Sequence, residues 1–187
     1  MLNKNDGIEI ARVGFILFAI TAIAAAILAG VNGFTAPLIL ENNRRTQEAA
    51  MKTVLPQAKA FEAVEFSREE GSVVTEIYSG GDAGVAVKVT PNGYGGEISM
   101  IVGIDNEYKV TGIEIISQSE TAGLGSNCTK EEFKAQFVGK TENIEVVKNG
   151  ATGNQVDAIS SATITTKAVT RGVNEAVNTI KSMRGGE

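Results

Sequence analysis

No charged residue lies between Arg12 and Glu41. Within that gap, residues 13–31 read VGFILFAITAIAAAILAGV, with Thr21 the sole polar side chain, and the apolar run weakens but continues to Leu40. A bilayer core needs about 20 apolar residues in a helix. At about 1.5 Å per residue, residues 13–40 reach roughly 42 Å, enough to cross and emerge. A lone span in lipid must satisfy its own backbone groups, so a helix is the expected form. The run is longer than a signal-peptide core, and its small residues at 24–26 lie inside it rather than after it. Val31 follows Leu28-Ala29-Gly30 where a lipoprotein would need cysteine. The pattern therefore predicts a short tail at 1–12 and a retained transmembrane helix at 13–40.

Beyond Leu40 the pattern changes. Residues 41–55 predict an exposed helix stopped by Pro56, within a connecting segment at 41–72. Residues 73–78, 83–90, 97–104 and 110–116 are rich in Val, Ile and Thr and bounded by Gly, Asp or Asn, which predicts antiparallel strands. Asp105-Asn106-Glu107 predicts the hairpin turn between the last two. Residues 130–137 predict a short helix, with Thr129 as N-cap and Glu132 completing a capping box. Residues 144–147 predict a short strand. Residues 166–183 predict the strongest helix, because Val169, Val173, Ala176, Val177 and Ile180 share one face. The fold class is α+β, with a mainly antiparallel sheet and flanking helices at 73–187.

Composition narrows the chemistry. The 187-residue chain has no histidine, which excludes His-based triads and His-ligated metal sites. One cysteine, Cys128, excludes an internal disulfide, a CxxC pair and a Cys-ligated iron–sulfur cluster. It reads as a small buried apolar residue. A net charge of −5 fits poorly with nucleic-acid binding. Lys4 and Arg12 precede the span, and Arg44, Arg45 and Lys52 follow it, which slightly favours a cytoplasmic C-terminal side, but long domains translocate largely regardless of charge, so the count does not orient the span.

Three glycine- and hydroxyl-rich stretches interrupt the scaffold: TPNGYGG at 90–96, SQSETAGLGS at 117–126 and DAISSATITTK at 157–167. Glycine there permits close backbone approach to a ligand. The third stretch gathers five hydroxyls, from Ser160 to Thr166, before a helix N-terminus, a natural seat for phosphate, with Lys167 an available cation. On spacing alone, ordinary helix capping before a β-rich Thr/Ile segment is the simpler reading.

These stretches carry a resemblance. DAISSATITTKAV is similar to the flavinylation motif of the FMN-binding subunits of Rnf and Na+-translocating NADH:quinone reductase complexes, which usually reads D-x-x-S/T-G-A-T. TPNGYGG resembles the family's glycine–tyrosine loop, and SETAGLG its E-T-P-G-L-G loop. The span is in the expected place, and the length resembles the Rnf G subunits more than the longer C subunits. Ser161 stands at the usual glycine position and Ala122 at the usual proline.

The resemblance implies an FMN-binding domain with FMN joined to Thr163 by a phosphoester bond, made by a Mg-dependent flavin transferase using FAD. It implies that Asp157, Ser160, Ser161 and Ala162 shape or mark the acceptor loop. Glu120, Thr121, Leu124 and Gly125, with Tyr94 and Gly95, become candidates for contact with the flavin ring. The implied role is an electron relay, with no NAD fingerprint of its own, inside a membrane complex with Rnf subunits A, B, C, D and E. Ferredoxin and NAD+ would be reached only through those partners, with Na+ or H+ translocated. The flavin domain would stand on the extracytoplasmic side of the cell membrane. The alternatives are the C-type flavin subunit of the quinone reductase, and a membrane-tethered assembly module without cofactor.

Overall fold

The computed structural model describes residues 4–185. The chain forms two compact units, Met1–Arg45 and Thr46–Glu187. Helix α1 (Lys4–Val54) is continuous through Pro37. In the first unit its large apolar side chains from Val13 to Leu40 are exposed, Phe34 at 83%, and it is long and apolar enough to cross a membrane. Its hydroxyls bond within the helix: Thr21 donates to the Leu17 and Phe18 carbonyls and Thr35 to that of Val31. Neither hydroxyl presents an unmet donor to lipid.

The second unit is a five-stranded antiparallel meander of β1 (Glu62–Val64), β2 (Val74–Ser79), β3 (Val85–Val89), β4 (Ser99–Ile104) and β5 (Val110–Ser117). The four expected strands are present, and β1 adds an edge too short for its alternation to stand out. Side chains alternate across a strand. Val85, Val87 and Val89 face one way with Met100, Val102 and Ile104, against Val169, Val173, Ala176, Val177 and Ile180 of α3 (Thr163–Met183). Ala86 and Ile101 face the other way, against Ala50, Met51, Val54 and Leu55. Both sheet faces are therefore covered, which explains why β3 and β4 read as nearly unbroken apolar runs.

The expected connector at 41–72 is thus divided by its packing. Residues 46–55 belong to the core of the second unit, because Ala50, Met51, Val54 and Leu55 bury on the sheet, the last three contributing about 1.5–3 kcal/mol each. Gly103 lets the end of α1 approach. A Cβ there would lie 2.8 Å from the Val54 carbonyl oxygen and 2.9 Å from the Val54 Cβ. The Thr111 hydroxyl donates to that same carbonyl at 2.6 Å. Gln47 joins a network in which Lys88 Nζ meets Glu76 at 2.7 Å and the Tyr78 hydroxyl donates to Glu76 at 2.5 Å.

The remaining elements cover the sheet ends. Helix α2 (Glu131–Lys134) is a single turn, and the expected capping box does not form. Lys130 is the N-cap, and the Thr129 hydroxyl donates instead to the Ser126 carbonyl, drawn into the preceding turn. Strand β6 (Glu145–Val147) pairs in parallel with β7 (Gln155–Asp157). Gly172 of α3 lies against the sheet, with Met100, Val89 and Pro91 within 3.2 Å of where its Cβ would be. That closeness brings the start of α3 beside the loop that follows β3.

Two outcomes follow for the full chain in detergent. Thr111→Val leaves a buried carbonyl unpaired and is expected to cost about 1–2 kcal/mol in urea unfolding followed by circular dichroism. Burial works against ionisation of Glu76, but hydrogen bonds from Lys88, Tyr78 and Gln47 outweigh it and hold the carboxyl below 4.5. A depressed folded value stabilises above the unfolded value, and that stability is lost as pH falls through the folded value. Glu76→Gln is therefore expected to be less stable than the parent at pH 7 and to lose that deficit on acidification below about pH 4.

Candidate functional site

The three loops meet at one carboxylate. Glu120 leaves the end of β5 and is 8% exposed. Its Oε1 accepts the Gly95 N–H at 2.8 Å, and its Oε2 accepts the Thr165 hydroxyl. The first bond reaches the loop between β3 and β4; the second reaches the first turn of α3. The loop is itself closed, since Gly93 N–H donates to Gly96 and Ile98 N–H to Pro91, with an Asn92–Glu97 bridge.

Glycine is required where these parts crowd together. A Cβ at Gly125 would lie 2.5 Å from Glu120 Oε2 and 2.7 Å from the Thr165 hydroxyl. A Cβ at Gly95 would collide with the Ser119 carbonyl, and one at Gly93 with Glu120 Oε1. The glycine-rich stretches are therefore packing requirements around Glu120. Thr121 closes the turn at 121–126 through its carbonyl, which accepts the Leu124 and Ser126 N–H groups. Its side chain is exposed, as are those of Leu124 and Tyr94, while Gly125 is buried.

Helix α3 begins at Thr163, three residues before the expected start. The extra turn is secured by hydroxyls. Thr166 Oγ1 accepts the Ile159 N–H at 3.0 Å and donates to the Ala162 carbonyl, and the Thr170 hydroxyl donates to the Thr166 carbonyl. Thr165, Thr166 and Thr170 are buried, each with its hydroxyl committed. Ser160, Ser161 and Thr163 are exposed. Ala162 is the N-cap and supplies no side-chain bond, so the N–H groups of Thr163, Ile164 and Thr165 lack a side-chain cap. Ser161 has φ 61°, a left-handed conformation that suits glycine.

Asp157 bonds to residues outside the turn at 158–162. Its Oδ1 accepts the Ala151 N–H at 2.9 Å, and its own N–H donates to Gln136. It thereby shapes the approach to 158–162. Lys167 is exposed one helical turn beyond Thr163 and lines an open groove with Arg171 and Ile144. Cys128 is buried in the core; burial and then the nearby Glu120 charge push its thiol up to about 11. It stays protonated and unreactive, as expected of a structural cysteine. Sequence reasoning did not single out Thr165, whose commitment to Glu120 depends on a partner 45 positions away. No local signal marks it.

The site fits a phosphate-bearing cofactor. An exposed hydroxyl with no partner among the described residues stands in the first turn of a 21-residue helix whose N–H groups have no side-chain cap. Residues 93–178 match the family model of the FMN-binding domain, and residues 1–54 match that of the RnfG N-terminal region. The chain thus carries an FMN-binding domain behind an N-terminal membrane-anchoring helix. It is 38% identical to the G subunit of the Na+-translocating ferredoxin:NAD+ oxidoreductase complex of Acetobacterium woodii, over 92% of each chain. It is 35% identical to the G subunit of the ion-translocating oxidoreductase complex of Methanosarcina acetivorans, over 97% of this chain and 100% of that one. It belongs to the family of Rnf complex G subunits. The fold is shared with the C subunit of the Na+-translocating NADH-quinone reductase of Parabacteroides distasonis, with a TM-score of 0.54 and 20% identity over 76% of this chain and 94% of that one. NqrC of Shewanella oneidensis gives 0.52 and 18%, over 71% and 74%.

Two substitutions test the site's construction. Ser161→Gly relieves the left-handed backbone and is expected to raise Tm by about 2–4 °C in a thermal melt. Glu120→Ala strands the buried Thr165 hydroxyl and removes the acceptor of the Gly95 N–H, and is expected to cost about 1–3 kcal/mol in urea unfolding, beyond the cost of Glu120→Gln.

Proposed function

We propose that this chain is the flavin-carrying electron-transfer subunit of an ion-translocating ferredoxin:NAD+ oxidoreductase complex, with FMN joined covalently to Thr163. The observation that carries the attachment is the division of labour among hydroxyls. Thr165, Thr166 and Thr170 are buried and bonded, whereas Thr163 is exposed and makes no bond among the described residues. A transferase from outside can reach only the exposed ones. Of these, Thr163 alone lies within the helix N-terminus, where a phosphodiester's single negative charge is favoured by the uncapped N–H groups. In the transfer the Thr163 oxygen replaces the adenylate leaving group of FAD, and the hydroxyl proton departs.

The residues then divide as follows. Glu120 holds the β3–β4 loop and α3 in register. Asp157 and Ser160 shape the turn that presents the acceptor, and Lys167 supplies a positive charge on the same helix face. The bound flavin supplies the redox chemistry, which no side chain of this chain offers. With no histidine and one inert thiol, electrons must enter and leave through other subunits of the complex, and ferredoxin and NAD+ are reached through them. The flavin domain stands on the extracytoplasmic face. The relatives are named for different ions, Na+ in Acetobacterium woodii and protons in Clostridium ljungdahlii.

The full chain co-produced with a flavin transferase tests the attachment. A flavin-fluorescent band in a denaturing gel, with the matching gain in intact mass, is expected for the parent and for Thr165→Val. It is expected to vanish in Thr163→Ala. A band that persists in Thr163→Ala defeats the assignment, and an unmodified parent favours an assembly module without cofactor.

A further inference from the structure

Strand β6 uses only one of its edges. Its parallel ladder with β7 runs through Glu145 and Val147: the Glu145 N–H donates to the Asn154 carbonyl, and the Val147 carbonyl accepts the Ala158 N–H. Alternate residues of such a strand turn their N–H and C=O groups to opposite edges. Those of Ile144 and Val146 therefore point away from β7. At Ile144 both are met by one side chain, since Asn174 Oδ1 accepts the Ile144 N–H at 2.8 Å and Asn174 Nδ2 donates to the Ile144 carbonyl at 3.0 Å. Asn174 stands where a neighbouring strand would. Val146, one step on, has no such partner: its outward N–H and C=O make no bond among the described residues. This open edge lies in the groove that Val146 lines with Ile144, Lys167 and Arg171. The groove leads toward the start of α3, because Glu142 meets Lys181 and Ile144 meets Asn174, so β6 and α3 run antiparallel. Its charges differ in their commitments. Glu175 is held by the Val73 N–H at 2.9 Å and by Arg171 at 2.7 Å, and Glu145 accepts from Gln155 at 3.3 Å. Lys167 is exposed and has no partner among the described residues. Open backbone groups on a strand edge are a template for another strand. The unpaired cation beside them selects for an acid on that strand.

We propose that the outer edge of β6 docks an extended segment of another subunit of the complex, which adds beside β6 as a strand and sets an acidic side chain against Lys167. The backbone of that segment pairs with the Val146 N–H and C=O, and Asn174 marks where the added strand stops. Main-chain bonds supply the affinity, and the acid opposite Lys167 fixes the register. The docked segment follows α3 toward Thr163, so the subunit that grips this domain is brought to the end of it where electrons are to be exchanged. The docking itself does not depend on the Thr163 reading, and its test needs no flavin.

The test compares the complex purified from its membrane with the isolated full chain in detergent. Hydrogen exchange resolved to single amides is expected to be fast at Val146 in the isolated chain and slowed about tenfold or more in the complex. A carbodiimide joins an amine to a carboxylate in contact with it and leaves no spacer. In the complex it is expected to link Lys167 to an Asp or Glu of another subunit, read by mass spectrometry of the cross-linked peptides. Val146→Pro removes the outward N–H and leaves the β6–β7 bonds in place, and is expected to lower the yield of that link about tenfold. Lys167→Gln is expected to abolish the link and to reduce the protection of Val146 about threefold. A Val146 amide that exchanges equally fast in the complex overturns the proposal. A Lys167 link without protection of Val146 overturns it too, because the contact is then one of charge alone, and so does a link to a second copy of this chain. Should Val146→Pro fail to assemble, the exchange and the link in the unaltered complex decide the question by themselves.

Discussion

A buried carboxylate with two neutral donors organises the functional end of this molecule. Glu120 has no cationic partner among the described residues; its charge is met by the Gly95 N–H and the Thr165 hydroxyl. Taking a carboxylate out of water costs several kcal/mol unless its hydrogen bonds are kept. Neither bond is dispensable, and each ties a different piece of chain to β5. The glycines at 93, 95 and 125 follow from that arrangement, because the backbone must pass within van der Waals range of the carboxylate and its neighbours. The exposed threonine at 163 is set in place by the same constraint, two residues before the hydroxyl that Glu120 captures.

The threonines of α3 show how one residue type performs opposite tasks. Thr165, Thr166 and Thr170 donate inward, to Glu120 and to backbone carbonyls, and extend the helix upstream through the turn at 159–162. Thr163 donates to nothing among the described residues. The helix thereby starts with its N–H groups free of side-chain caps, a state that costs stability in an ordinary helix and suits one that receives an anion. Ser161 in a left-handed conformation adds local strain at the same turn, where backbone strain is commonly retained for function.

Much of this was legible in the chain. The charge gap to Glu41 announced the long helix, and β-branched runs announced β2 to β5 within two residues of their ends. The apolar face of α3 was visible in its spacing, and all five of its marked residues are buried. The three loops were recognisable as one site only through their resemblance to known flavin subunits. What stayed hidden was non-local. Thr165 is bound by a residue 45 positions away, Glu120 is crowded by Gly93 and Gly95 of the loop between β3 and β4, and the start of α3 depends on a hydroxyl bonding backward to Ile159. The capping box at Thr129 failed because the preceding turn offered that hydroxyl a nearer carbonyl. The burial of Ala50, Met51, Val54 and Leu55 was hidden because it depends on the far face of the sheet, which no local pattern records.

The last turns of α1 carry a practical consequence. The stretch matching the RnfG N-terminal region ends at residue 54, which invites removal of everything up to that point as a hydrophobic anchor. Such a cut would take away Ala50, Met51 and Val54, leave Ala86 and Ile101 bare to water, and free the Thr111 hydroxyl of its partner. A soluble fragment that begins a few residues ahead of Thr46 keeps the sheet clothed on both sides while shedding the uncharged segment. In this chain the boundary between what is greasy for lipid and what is greasy for its own core falls inside a single helix.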